Sequence, residues 1–298
     1  MKITLTGSLG HISKPLTQSL IKSGHQVTVI SSSPTRQVDI NALGATAAIG
    51  TIEDVEFLTK SFTGADAIYT MVPPNDYFDD ELNLLEYYRR IGRHYTQAIK
   101  DSGVKKLVNL SSIGAHLEKG NGILLGAHDV EQTLNTLPPE VVITHIRPTS
   151  FFYNLFGYFD KIKSENVISA NYGEEIIPWV SPLDIAEAVQ EELTSTFANG
   201  KVRYVASEEL TGEETARILG QAIDKPELQW ELISDQKTKE ELIFIGMNPD
   251  IAEGLTEMYA GLRSGVLTED YFNNKPTFGK VKLKDFAKEF ANTYSLVY

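Results

Sequence analysis

The sequence predicts an α/β protein: a doubly wound parallel sheet followed by a smaller, mainly helical region. Three observations predict it. Short β-branched runs alternate with longer amphipathic stretches at steps of about 20–25 residues through the first half. No self-similar period appears, which excludes a solenoid. The 298 residues are 42% apolar and 22% charged, the balance of a packed globular chain rather than a disordered or fibrous one.

The elements follow in order. Ile3 to Thr6 is an apolar run that stops at Gly7. Ile12, Leu16, Leu20 and Ile21 share one helical face in a stretch ending at Lys22, and Gly24 closes it. Gln26 to Ile30 is a second strand; after a helix ending near Leu43-Gly44, Ala45 to Ile49 is a third. Val55 to Phe62 is a helix with Glu53 and Asp54 at its start, where the helix dipole favours acids. Ala67 to Val72 is a strand stopped by Pro73-Pro74, and Glu81 to Lys100 is a long helix. Lys106 to Leu110 is a strand stopped by Ser111-Ser112; a helix over Ala127 to Leu137 and a strand over Val141 to Ile146 complete the pattern. Parallel strands need crossovers, and right-handed crossovers cover both faces of the sheet.

After Arg147-Pro148 aromatic residues crowd together: Phe151, Phe152, Tyr153, Phe156, Tyr158 and Phe159. Ile176 to Val180 reads as a strand and Pro182 to Leu193 as a helix. Helices are expected over Thr211–Ile223, Lys237–Ile245, Asp250–Arg263 and Leu283–Tyr294. The expected organisation is a nucleotide-binding domain over 1–150, to which 176–206 returns, and a smaller acceptor domain from 151–175 and 207–298. No Gly/Ser linker divides them.

The net charge of −13 repels phosphate backbones, so no nucleic-acid partner is expected. With no cysteine, disulfides, thiolate nucleophiles, Cys-ligated zinc and iron–sulfur clusters are excluded, and no metal is expected. Apolar stretches fall short of the ~20 residues that span a bilayer. The first residues read as a strand rather than a signal segment, so the expected location is the cytoplasm.

Thr6-Gly7-Ser8-Leu9-Gly10-His11-Ile12-Ser13 joins a predicted strand to a predicted helix, the setting in which a glycine turn cradles a diphosphate. Gly7 lets the chain turn and Gly10 lets backbone approach phosphate; Ser13 stands where a third glycine is usual. An ordinary strand–turn–helix joint is the plain alternative. The cofactor-binding set is Gly7, Ser8, Leu9, Gly10, His11 and Ile12, with His11 contributing backbone only. The second strand ends in Ile30-Ser31-Ser32-Ser33-Pro34-Thr35-Arg36, with no carboxylate for ribose hydroxyls. Ser31, Ser32 and Arg36 can surround a 2′-phosphate, unless the serines merely cap the next helix. One charge-assisted Arg contact is worth roughly 1.5–3 kcal/mol, so NADP(H) is expected over NAD(H).

TGSLGHI, Val72-Pro73-Pro74, GVKKLVNLSSIGAH (Gly103–His116), VVITHIRPTSFFYNL (Val141–Leu155) and PWVSPLDIAEAV (Pro178–Val189) together resemble the NmrA-like branch of atypical short-chain dehydrogenases/reductases. The resemblance spans residues 1–220 or so. It implies a Rossmann domain, a smaller C-terminal domain and NADP(H) binding. It also implies that Val72, Pro73, Ser111, Ser112 and Pro148, at strand ends, join the cofactor site; capping of the strand is the plain alternative for Ser112. The branch includes NADPH-dependent quinone and dye reductases and redox-sensing regulators with little catalysis.

The wider class uses a Tyr-x-x-x-Lys pair beyond a strand-end serine. Here that region reads Ile123-Leu-Leu-Gly-Ala-His-Asp-Val-Glu131, without Tyr or Lys. Tyr271-Phe-Asn-Asn-Lys275 matches the spacing but is expected to lie far from the sheet and outside any helix, because Pro276 follows. Reduction of an ordinary ketone needs a positioned acid. Hydride addition to a quinone gives an anion whose conjugate acid resembles a phenol, with a pKa near ~10, and needs little help. The expected function is therefore NADPH-dependent reduction of a quinone-like or other planar acceptor; the alternative is a non-catalytic NADP(H)-sensing regulator. His128 is the candidate acid or acceptor-binding group, against a solvated helix-start histidine. Phe151, Phe152, Tyr153 and Tyr77 are the candidate acceptor wall, against a packing role; Phe78, Tyr87 and Tyr88 raise the same question. Glu86, Arg89, Arg90 and Arg93 read as a solvated helix face, and the two long helices as a possible homodimer face.

Overall fold

The computed structural model describes residues 1–196 and 201–297. In chain order the first half contains β1 (Lys2–Leu5), α1 (Ser13–Lys22), β2 (Gln26–Ser31), α2 (Arg36–Ala42), β3 (Thr46–Ile49), α3 (Val55–Phe62), β4 (Ala67–Thr70), α4 (Leu84–Ser102), β5 (Lys106–Leu110), α5 (Leu125–Leu134) and β6 (Val142–Pro148). The second half contains β7 (Ser150–Phe151), a 3₁₀ segment (Phe152–Tyr158), α6 (Phe159–Glu165), β8 (Val167–Ala170), β9 (Ile177–Val180), α7 (Pro182–Thr194) and β10 (Lys201–Val205). It ends with β11 (Glu208–Leu210), α8 (Gly212–Ala222), β12 (Gln229–Leu232), α9 (Asp235–Phe244), α10 (Pro249–Arg263), α11 (Glu269–Asn273) and α12 (Leu283–Val297).

Seven parallel strands form the main sheet in the order β3-β2-β1-β4-β5-β6-β10. Strand faces alternate with period two. Ile3, Leu5, Ala67, Tyr69, Val108 and Ile146 pack with α1 and α7 residues. Ile68 and Leu107 face the layer built from α3, α4 and α5. Burial on both faces is why these strands read as continuous apolar runs. The strand order reverses between β1 and β4, and a crevice opens beyond the carboxyl ends of strands at such a point.

The second lobe packs Phe152, Leu155, Phe159, Trp179, Leu219, Phe286 and Phe290 into a separate core. It is less purely helical than expected, because β11-β9-β7 form a three-stranded sheet and β12-β8 a parallel pair. Within 176–206, β9 pairs with β7 and β11 instead of joining the main sheet. β10 lies on the edge of the main sheet beside β6; residues 197–200 of that segment lie outside the described residues.

Several element ends differ from expectation, some for local reasons. β4 stops at Thr70 rather than Val72, because the Met71 N–H is taken by the Thr6 hydroxyl at 3.0 Å. α4 starts at Leu84 rather than Glu81: Asn83 caps it by accepting the Glu86 N–H at 3.0 Å. α11 covers Tyr271 and ends at Asn273, before Pro276. Tyr271 is fully buried against Tyr204 of β10, ring centroids 5.7 Å apart. The Tyr271–Lys275 pair is therefore beside the sheet and starts in a helix, contrary to expectation. Among the described residues no helix is long and apolar enough to cross a membrane.

Candidate functional site

The crevice is built around the end of β1. The Thr6 N–H donates to Tyr69 O at 3.0 Å and its hydroxyl holds Met71, so β1 and β4 part just beyond their ladder. Gly7 then turns with φ +86°, and a Cβ there would sit 2.7 Å from Ser13 Oγ. Ser8 also takes a left-handed backbone, φ +53°, and is fixed there by two bonds. Its N–H donates to Ile30 O at 3.1 Å and its hydroxyl donates to Ser31 Oγ at 2.9 Å. Gly10 N–H closes the turn on Gly7 O at 3.1 Å. Ser13, in the third glycine's place, is buried and donates its hydroxyl to Thr6 O at 3.0 Å, so the close helix–strand packing is kept.

What the turn leaves unmet matters most. Six helices start with a side-chain cap, from Asp54, Asn83, Ser181, Thr211, Ser234 and Asn248. α1, like α2, α5, α6 and α11, has none: its first flanking residue is Ile12. Within the described residues, the N–H groups of Leu9, His11 and Ile12 have no backbone or side-chain acceptor. Uncapped amides at the positive end of a helix, behind a turn that a Cβ would close, fit a diphosphate.

At the neighbouring strand end, Ser31 is buried and Ser32 exposed. Ser31 Oγ also accepts the Ser33 N–H at 3.3 Å, and Ser33 Oγ meets Thr35 Oγ1 at 2.8 Å. Thr35 flanks α2 without a side-chain cap bond, so the serines are not spent on capping α2. The Arg36 side chain is 51% exposed and pairs with Asp39 at 3.4 Å.

An aromatic wall stands over the turn. His11 stacks on Tyr153 at 4.8 Å, and Tyr153 on Phe151 at 5.0 Å. Burial, and then the Tyr77 phenol, push Tyr153 up to about 12. Tyr77 and Tyr88 are half-buried in the layer that includes Tyr87 and Tyr259. Tyr87 donates to Pro73 O at 3.3 Å and Tyr95 to Met71 O at 2.7 Å, fixing the exit from β4 through the half-exposed Val72. Phe152 corrects the expectation: it is fully buried, stacked on Trp179 and Phe286 in the second lobe's core. Between two wall residues it points the other way and has no face for an acceptor.

The strand-end serines differ. Ser111 donates to Glu131 Oε1 at 2.5 Å, while Ser112 makes no side-chain hydrogen bond among the described residues. Pro148 is buried, and its carbonyl accepts the Ile113 N–H at 2.9 Å. His128 is 8% exposed rather than solvated, and its Nδ1 meets Ala115 O at 2.9 Å. Nδ1 must carry the proton to bond a carbonyl, which leaves Nε2 as the basic atom.

Sequence reasoning missed the group that holds this side of the crevice. Arg147 on β6 is buried and donates to both Glu131 oxygens, at 2.9 and 2.7 Å. It also reaches Tyr204 Oη and Asp270 Oδ2, each at 3.3 Å, and Tyr204 donates to Asp270 at 2.5 Å. Burial alone would lower the Arg147 pKa; the hydrogen-bonded Glu131 carboxylate more than reverses this, and the net shift is upward. A charged residue in the apolar run VVITHIRP was the available signal. Asn248 was also missed. Its N–H donates to Tyr77 O at 2.9 Å, and its amide donates to Asp79 O and Asp80 O at 3.0 and 3.3 Å. The Asn-Pro at the start of α10 was its signal. An open groove of about 1000 Å³ lies apart from the glycine turn, along β10, between α7 and the 274–280 segment. Arg147, Arg203, Lys275 and Lys280, which line it, are each paired with a carboxylate.

Comparison with known proteins gives a relative in sequence and two solved structures of similar fold. A (4-alkanoyl-5-oxo-2,5-dihydrofuran-3-yl)methyl phosphate reductase from Streptomyces griseus is 24% identical over 264 residues, 88% of each chain. Triphenylmethane reductase from Citrobacter sp. superposes with a TM-score of 0.77 at 19% identity, covering 98% of this chain and all of the other. An NADPH-dependent quinone oxidoreductase from Escherichia coli, solved with NADPH, gives a TM-score of 0.79 at 18% identity, over 97% of this chain and 99% of that one. These likenesses establish the fold. The NmrA-like family model matches residues 1–267, and with the glycine turn, strand order and second lobe described above it shows that the chain belongs to the NmrA-like family.

Proposed function

We propose that the protein is an NADPH-dependent reductase acting on a planar, conjugated acceptor such as a quinone, without a Tyr–Lys pair. The observation that carries this reading is the uncapped start of α1 behind Gly7, with the amides of Leu9, His11 and Ile12 free. NADPH held there supplies a hydride from its nicotinamide. The Ser31–Arg36 corner takes the 2′-phosphate. Arg36 gives up only a half-exposed pair with Asp39, worth about 0–1 kcal/mol. A charge-assisted bond to phosphate is worth roughly 1.5–3 kcal/mol, a preference of about 10- to 150-fold. Phe151, Tyr153 and Tyr77 orient a flat acceptor, and holding it close supplies most of the rate. The reduced acceptor leaves as a phenolate-type anion, which takes its proton from water or from a protonated His128 through Nε2. The relatives support the reading: two of them are named as reductases of a dye and of quinones, the third as the reductase of an unsaturated oxo ring.

Calorimetry with NADPH and NADH, on the wild type and Arg36→Ala, tests the cofactor; a panel of quinones and dyes with NADPH, on the wild type and His128→Ala, tests turnover. The expected result is at least tenfold tighter binding of NADPH, lost in Arg36→Ala, and oxidation of NADPH by quinones. Equal wild-type affinities for the two nucleotides overturn the cofactor assignment. Tight binding with no turnover on any acceptor replaces the reductase by an NADP(H) sensor.

A further inference from the structure

We infer that the acceptor carries an uncharged apolar tail, and that Phe78, Ile243, Phe244 and Ile245 hold this tail outside the aromatic wall. The inference rests on the reductase reading and adds the class of acceptor.

Four large apolar side chains stand exposed together at one place on the surface. Phe244 is 90% exposed, Ile245 59%, Phe78 53% and Ile243 40%. Three of them are consecutive at the end of α9, where Leu242 turns inward to the core and 243–245 turn outward. Phe78 belongs to the loop after β4 and meets the same spot: a Cβ on Gly246 would lie 3.8 Å from its ring. Contiguous exposed apolar surface of this kind marks a binding region.

The patch is tied to the candidate acceptor wall. Asn248 binds Tyr77 O through its own N–H and Asp79 O through its side chain, so the turn after α9 and the 77–82 loop move as one piece. Tyr77 shares its core cluster with Leu242, Met247 and Tyr259. Phe78 follows Tyr77 in the chain, so the patch begins one residue from the candidate wall.

The surrounding charge selects the occupant. Asp76, Asp79, Asp80 and Glu81 are exposed on the loop beside Phe78, and Glu240 is exposed next to 243–245. This acidic rim repels an anionic bilayer and any phosphate-bearing group. A second copy seated here would bring the same carboxylates against each other. An alkyl or polyprenyl chain meets no such penalty.

The test uses 1,4-benzoquinones with straight side chains from none to decyl. Binding to the NADP⁺-saturated protein is followed by calorimetry, and turnover by NADPH oxidation. A fully covered methylene is worth about fourfold in affinity, so about twofold per methylene is expected on an open patch. The KM falls in step while kcat stays constant. Phe244→Ser, at a side chain that is almost wholly exposed, and Phe78→Ser flatten the series and leave the tail-free quinone unchanged. A flat wild-type series overturns the inference, as does a slope that survives in both variants. A dimer that Phe244→Ser dissociates, or flotation with anionic vesicles that it abolishes, assigns the patch to another occupant and overturns it too. Chain-length-dependent binding with no turnover leaves the tail site standing and removes the reductase reading. Turnover without chain-length dependence does the reverse.

Discussion

Truncating Glu131 to alanine would isolate the most deeply buried charge in the crevice. Arg147 and Glu131 side chains are 8% and 3% exposed, so neither can recover water when its partner is lost. Three hydrogen bonds end on Glu131: two from Arg147 at 2.9 and 2.7 Å and one from Ser111 at 2.5 Å. After truncation Arg147 keeps, among the described residues, Tyr204 and Asp270, both at 3.3 Å, and the Asp270 side chain is 34% exposed. Breaking a buried pair from one side costs about 3–5 kcal/mol, because the remaining charge stays desolvated. At about 2.1 cal/mol/K of unfolding entropy per residue, this corresponds to a melting point lowered by about 5–8 °C. Urea denaturation and thermal melting of Glu131→Ala measure it. The Glu131→Met/Arg147→Met double variant, which removes both charges, is expected to recover most of the loss. A loss below ~1 kcal/mol, the value of an exposed pair, refutes the reasoning. So does a double variant no more stable than the single one.

Other outcomes follow from the same geometry. His145 is buried, with Nδ1 at 3.2 Å from Asn109 Nδ2 and Nε2 at 3.1 Å from Asn135 Oδ1, and burial, with Arg147 nearby, lowers its pKa below the ordinary 6.5. Below that ordinary value the unfolded chain binds a proton that the folded chain refuses. Stability therefore drops as the pH is lowered, by up to about 1 kcal/mol from pH 7 to 5.5, and urea midpoints for wild type and His145→Gln should show the slope reduced in the variant. Phe152→Ala opens a cavity in the second lobe and is expected to cost about 3–5 kcal/mol by denaturation. Calorimetry should find its NADPH affinity unchanged below the melting point. Gly122→Ala places a Cβ 1.8 Å from Gly254 O at φ +55°, where backbone meets backbone, and is expected to lower the melting point further than Gly64→Ala, whose Cβ meets nothing within 4 Å.

The first half was readable because strands buried on both faces leave unbroken apolar runs, and Gly7, Pro73-Pro74 and Ser111-Ser112 punctuate them. The glycine turn was readable for the same reason: a local device leaves a local trace. β10 was not read as a strand because Lys201 and Arg203 interrupt its apolar residues; Arg203 pairs with Glu191 and Glu192 on α7, which no local pattern announces. β8 and β12 pair across some sixty residues of chain, and each alone is too short to stand out. Phe151, Phe152 and Tyr153 looked alike in sequence, yet the middle ring belongs to a different core. His128 was read from its residue type; its burial and its bond to Ala115 come from the loop that follows β5.

The route of the chain has a consequence for synthesis. The sheet's last strand comes from residues 201–205, after an excursion through β7, α6, β8 and β9. A ribosome must therefore extrude residues up to 205 before β6 of the seven-stranded sheet gains its second neighbour. Until then β6 waits with one flank unsatisfied, open to pairing with a neighbouring nascent chain. Truncation before residue 206 is accordingly expected to yield aggregation in place of a smaller folded unit.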